Sequence, residues 1–188
     1  MYFLTIGASD ACIAFLRECP EAVPQFVDGI RPELSGGRSE PPQLRGARPE
    51  TLSVPADWPT EEAMLGTEIN HGNVDLFHWI LNGSRRLATG PGSIFQTWFS
   101  DYHGAIDLTG DREAFALEAD QLPALAELFG AVSKEAAAER FVSWLRRRGG
   151  ADNPNDDDVE AIWSDFRFVG HQVNDCVEKG LGLIWVAV

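Results

Sequence analysis

Apolar runs in this chain are short, and none reaches the roughly 20 residues that a membrane-crossing helix needs. The N-terminal residues also lack the basic region, apolar stretch and small-residue cleavage site of a secretory signal, so the expected address is the cytoplasm. Cysteine is scarce: Cys12, Cys19 and Cys176 are too few for a disulfide scaffold and are odd in number, which points to reduced thiols. Positive charge is scarce too, with 15 Lys and Arg against 29 Asp and Glu and a net charge of −14. Such a surface repels phosphate backbones and anionic membranes, which argues against a nucleic-acid or membrane partner and suits a basic protein.

The familiar catalytic signatures are missing as well. There is no G-x-S-x-G elbow, phosphate-binding G-x-x-x-x-G-K-S/T loop, H-E-x-x-H, C-x-x-C or G-x-G-x-x-G. Gly90-Pro91-Gly92-Ser93 before a predicted helix resembles an anion-binding turn, but proline removes one of the amides such a site would use.

What is present is enough for one domain with a proper core: 188 residues, 44% of them hydrophobic. Residues 1–6 read as a buried strand, and Ser9-Asp10 as the cap of a helix whose apolar face is Cys12, Ile13, Phe15, Leu16 and Cys19. Residues 29–60 hold six of the 11 prolines and no apolar periodicity, which predicts a long Pro, Gly and Arg-rich surface loop. Asn73 is placed to cap a helix ending at Asn82-Gly83, with Gly72-Asn73 breaking any helical continuity from upstream. From Pro91 to Gly104 the stripe Ile94, Phe95, Trp98, Phe99, Tyr102 predicts a second helix. A strand at 113–117, a helix near 120–129 and a helix capped by Ser133 and closed by Arg146, Arg147 and Arg148 follow. Val159, Ile162, Trp163, Phe166, Val169, Val173, Cys176 and Val177 then recur every three or four residues, predicting a long helix that Gly180 stops. Residues 181–188 are apolar on both faces, as in a central strand.

Three pieces resemble the YfbM-like family, a group of small bacterial proteins of unknown function. In residues 74–83, Asp75, His78 and Gly83 match the family pattern, while Val74 stands where a tryptophan is usual and Leu76-Phe77 are in a different order. Residues 114–122 match its strand and acidic step into a helix, with Ser133-Lys134-Glu135 and Arg140-Phe141 at the expected interval. The third piece is the terminal helix and strand with their break at Gly180. The resemblance spans about residues 60–188 and leaves the proline-rich segment without a counterpart. It implies a single α/β domain over residues 1–188, a three-layer sandwich with a mixed β-sheet flanked by helices, and no established activity.

Few residues invite chemistry. Glu68, His71, Asp75 and His78 would share one face of an unbroken helix and present two carboxylates and two imidazoles, but a di-iron scheme needs a second such pair, which is absent. The expectation is therefore no metal and no cofactor, with an internal Asp75–His78 contact. The aspartate-rich segment at 152–158 departs from a calcium loop, since Pro154 takes a ligand position and the required glycine is missing. His103 reads as a helix-end group, and His171, beside Gly170, as a bystander to close helix packing.

These readings lead to a non-enzymatic binding protein. Its concrete form is an immunity-type protein that masks the basic active site of a toxin, with Asp152, Asp156, Asp157 and Asp158 meeting the partner. The alternative is a small-molecule enzyme or sensor with a pocket at Asp75, His78, Trp79 and His103.

Overall fold

The computed structural model describes residues 2–32, 53–60, 69–86, 90–96, 104–110, 113–149 and 154–187. Strand β1 (Tyr2–Ala8) leads through the Ser9 cap into α1 (Asp10–Glu18); the Ser9 hydroxyl accepts from the Cys12 amide. Pro20 ends that helix and opens a 3-10 turn into the short α2 (Val23–Val27). After β2 (Ile69–Asn70) come α3 (His71–Asn82) and a 3-10 helix at Gly90–Gln96, then β3 (Ile106–Asp107) and β4 (Ala114–Leu117). A capping box between Glu118 and Gln121 introduces α4 (Leu122–Gly130). The Ser133-capped α5 (Lys134–Arg147), the 24-residue α6 (Asp156–Lys179) and β5 (Gly182–Ala187) complete the chain.

Two predicted boundaries move. Gly72 and Asn73 lie inside α3, whose first residue directly follows β2, so they neither cap nor interrupt the helix. A glycine inside a helix costs only about 1 kcal/mol, and the buried face Val74, Leu76, Phe77, Ile80 and Leu81 outweighs it. The helix predicted from Pro91 is 3-10 over its described residues; Ile94 and Phe95 are buried, while Trp98, Phe99, Tyr102 and His103 fall outside the described residues.

The sheet order is β2-β1-β5-β4-β3 and all four pairings are antiparallel, so the expected mixed sheet is corrected to an antiparallel one. Strand β5 is central, as its two apolar faces predict, but double-sided burial does not fix strand direction. Both neighbours, β1 and β4, run opposite to it.

Strand alternation divides the interior into two cores. Phe115, Leu117, Leu183 and Trp185 pack with α3, α4, α5 and α6, and Trp185 stacks on Phe115 with ring centroids 5.8 Å apart. Ile6, Ala8, Ala114, Ala116, Ile184 and Val186 pack instead with α1, α2 and Trp58. Trp58 ends the proline-rich segment and is only 2% exposed; it meets Phe15 and Phe26 edge-on and donates its indole N–H to the Ile30 carbonyl. Together with the Arg31 guanidinium on the Val54 carbonyl, it binds the two ends of the segment to each other. The centre of that predicted loop, 33–52, lies outside the described residues.

Candidate functional site

Helix α3 carries three of the four residues of the predicted pocket, and its geometry sends them to different places. Asp75 lies at the solvent edge facing α5 and accepts the Trp144 indole N–H at 3.1 Å. The Arg85 and Arg148 guanidinium groups approach the same carboxylate oxygen at 3.5 and 3.8 Å, with the Asp75 side chain still 45% exposed. Trp79 is buried beneath the Arg147 guanidinium, which stands 4.8 Å from its ring centroid.

His78 points inward and is 1% exposed. Its Nδ1 accepts from the Asn82 side-chain amide at 3.2 Å, which leaves the ring proton on Nε2 to be donated to the Arg86 carbonyl at 3.1 Å. The same Asn82 amide reaches the Gly92 carbonyl at 2.8 Å. This network ties the turn after α3 and the 3-10 helix to α3 itself. Burial pushes the His78 imidazole below its ordinary value, while the Arg86 carbonyl and the charge of Asp75 pull the other way. With both ring nitrogens committed, the imidazole stitches the turn after α3 to the helix.

Of the expected Asp75–His78 contact the charge of Asp75 is felt at the imidazole, while the hydrogen bonds of the two side chains go to separate sets of partners. Asp75 and Trp79, one helical turn apart, both face the C-terminal half of α5, whereas His78 addresses the turn after α3, and His103 lies outside the described residues. Of the longer stripe, Glu68 and the His71 side chain also lie outside them. No group of three or more His, Cys, Asp or Glu suited to a metal occurs among the described residues. The Gly90-Pro91-Gly92-Ser93 turn directs polar groups inward, the Ser93 hydroxyl donating to the Gly90 carbonyl and the Gly92 carbonyl accepting from Asn82.

The acidic segment has a different character. Asp156, Asp157 and Asp158 occupy the exposed first turn of α6, where the side chain of Asn155 caps the helix by accepting from the Asp158 amide at 2.7 Å. Asp152 lies outside the described residues. Two of the arginines just before this segment are engaged elsewhere: Arg147 covers Trp79, while Arg148 stacks over Trp144 and reaches Asp75. No described cation pairs with the three aspartates, whereas Glu160, one turn on, pairs with Lys134. The helix dipole favours carboxylates at this end, so their placement needs no ligand to hold it.

Sequence reasoning missed the role of Asn82, which it read only as part of a helix stop, and that of Trp58. An asparagine four residues after a histidine on an apolar helix face is the signal that was available for the first. No family model, curated protein or solved structure matches this chain.

Proposed function

We propose that this protein is a non-enzymatic binding protein that engages a basic protein partner through the acidic start of α6. The observation that carries the reading is the pairing pattern at the α5–α6 connection. Arg147 and Arg148 are drawn onto α3, which leaves Asp156, Asp157 and Asp158 exposed and without a described countercharge on a protein of net charge −14. Fixed like charges at the end of a long helix speed the encounter with an oppositely charged surface. An immunity-type role, in which such a surface masks the basic active site of a toxin, is the specific form of this reading, and cytoplasmic residence goes with it.

The kinship proposed with YfbM-like proteins rests on the residues quoted above. It is supported by the helix carrying Asp75 and His78, the strand Ala114–Leu117, and the terminal helix and strand joined at a left-handed Gly180. A three-layer arrangement, helices to either side of the sheet, is the architecture that two segregated cores favour. The sealed imidazole of His78 weighs against the enzyme or sensor alternative at Asp75 and His78.

The test is capture of the partner at low ionic strength, followed by association kinetics with purified components. Replacing Asp156, Asp157 and Asp158 by asparagine is expected to slow association about tenfold at low salt and to flatten its salt dependence. An unchanged rate removes the start of α6 from the interface.

A further inference from the structure

Helices α4 and α6 approach closely because Gly170 has no side chain; a Cβ there would lie 3.2 Å from that of Phe129. Beside this contact is an open cavity of about 170 Å³. Its walls are Phe129, Phe166 and Trp163, and its polar rim is Arg167, His171 and Asn174. Trp163 and Phe166 are roughly parallel, with their ring planes 24° apart and their centroids separated by 6.2 Å. An apolar cavity of about 150 Å³ is enough to hold a benzene-sized guest, so the space here fits one aromatic ring.

The rim adds a charge preference. Arg167 Nη2 donates to His171 Nε2 at 2.9 Å, and the guanidinium lies 5.9 Å from the Trp163 ring centroid. That bond uses one of the five N–H groups of the guanidinium and makes His171 Nε2 an unprotonated acceptor. Among the described residues no carboxylate lines the cavity and none pairs with Arg167. The arginine therefore keeps donors in a fork that matches a carboxylate, and Asn174 adds a side-chain amide.

We propose that this cavity binds a small aromatic carboxylate, with its ring against Trp163 and the edge of Phe129, over a floor that Phe166 closes, and its anionic head on Arg167. A protonated arylalkylamine such as benzylammonium would be repelled by the guanidinium, and an inorganic anion would leave the aromatic walls unfilled. The site is independent of the acidic start of α6, from which Arg167 is separated by about 15 Å along the helix at 1.5 Å per residue.

The experiment is a titration of the 188-residue chain with benzoate, with benzyl alcohol as the uncharged ring of similar size, followed by NMR signals of the Trp163 indole, the His171 ring and the Asn174 amide. The expected result is saturable shifts confined to these groups, with benzoate bound about tenfold more tightly than the alcohol, as a charge-assisted contact implies. Arg167→Gln, an exposed replacement, is expected to erase that preference, and Asn174→Trp to block both compounds by filling the mouth. Scattered or unsaturable shifts, equal binding of the two compounds, or undiminished preference in Arg167→Gln would overturn the proposal. So would undiminished binding in Asn174→Trp.

Discussion

The indole N–H of Trp144 donates to the Asp75 carboxylate across 3.1 Å, one of the links that fasten α5 to α3, beside the Arg147 guanidinium on Trp79 and the Arg140 guanidinium on the Leu81 carbonyl. The two arginines around Asp75 are half exposed, so their attraction is screened and adds little on its own. Replacing Asp75 by alanine is expected to lower unfolding stability by about 1–2 kcal/mol, most of it from the lost indole bond. Asp75→Asn keeps an acceptor oxygen and should lose less than half of that. A urea-denaturation cycle with Trp144→Phe checks the assignment: zero coupling between the two positions would show that the bond contributes nothing.

His78 predicts a pH dependence of definite sign. Burial lowers its folded-state pKa below the ordinary 6.5, so the unfolded chain takes up a proton that the folded chain refuses. The stability associated with the neutral ring is complete above about pH 6.5. It is lost as pH falls from there toward the lowered folded value. Urea midpoints measured from pH 7.5 down to 5 should drop, and His78→Gln should flatten that part of the profile. A wild-type profile identical to that of the variant would refute the assignment.

Gly182 is a place where only hydrogen fits. A Cβ there would sit 2.4 Å from the Leu117 carbonyl oxygen and 2.5 Å from Ile13 Cδ1, and the first of these belongs to the backbone of the paired strand. Gly182→Ala is expected to destabilise by about 3 kcal/mol or more, at or beyond the upper end of overpacking costs. At Gly170 the nearest atoms are Phe129 side-chain atoms at 3.2–3.3 Å, a milder approach than that to the backbone oxygen at Gly182. Gly170→Ala should therefore cost clearly less. Denaturation midpoints of the two variants check the ordering.

All three thiols are buried and outside any disulfide, and burial raises each above its ordinary value. Near Cys12 the charge of Asp57 adds to the effect, as Glu21 and Glu18 do near Cys19. A buried thiol with little thiolate reacts slowly. A thiol-specific reagent at pH 8 should label the native protein at the rate of unfolding and label all three cysteines promptly in denaturant. Rapid labelling of the folded protein would contradict the burial.

Punctuation was the most readable feature of this chain. Ser9, Ser133 and Gly180 announced helix ends through hydroxyl caps and a left-handed stop, and each is found in that role. Periodicity marked α6, and unbroken apolarity marked β5 as the central strand. Gly72-Asn73 misled, because a local preference against helix was outweighed by a buried face that only the rest of the fold supplies. Of the candidate pocket residues, Asp75 and Trp79 are one turn apart and both meet α5, while His78 turns to the segment after α3, a division that depends on how α5 packs and is not written in the local sequence.

By itself, then, the sequence determined what depends on neighbours along the chain: caps, stops, the apolar stripes and the excess of negative charge. Only the tertiary structure decided what depends on residues far apart. It set the direction of β1 and β4 against β5, placed Trp58 between α1 and α2, and engaged Arg147 and Arg148 with α3. It also brought Phe129 to α6 beside the cavity. The physical reason is that strand pairing and side-chain partnership are settled by competition among contacts throughout the fold, whereas a cap or a stop is settled within a few residues of backbone.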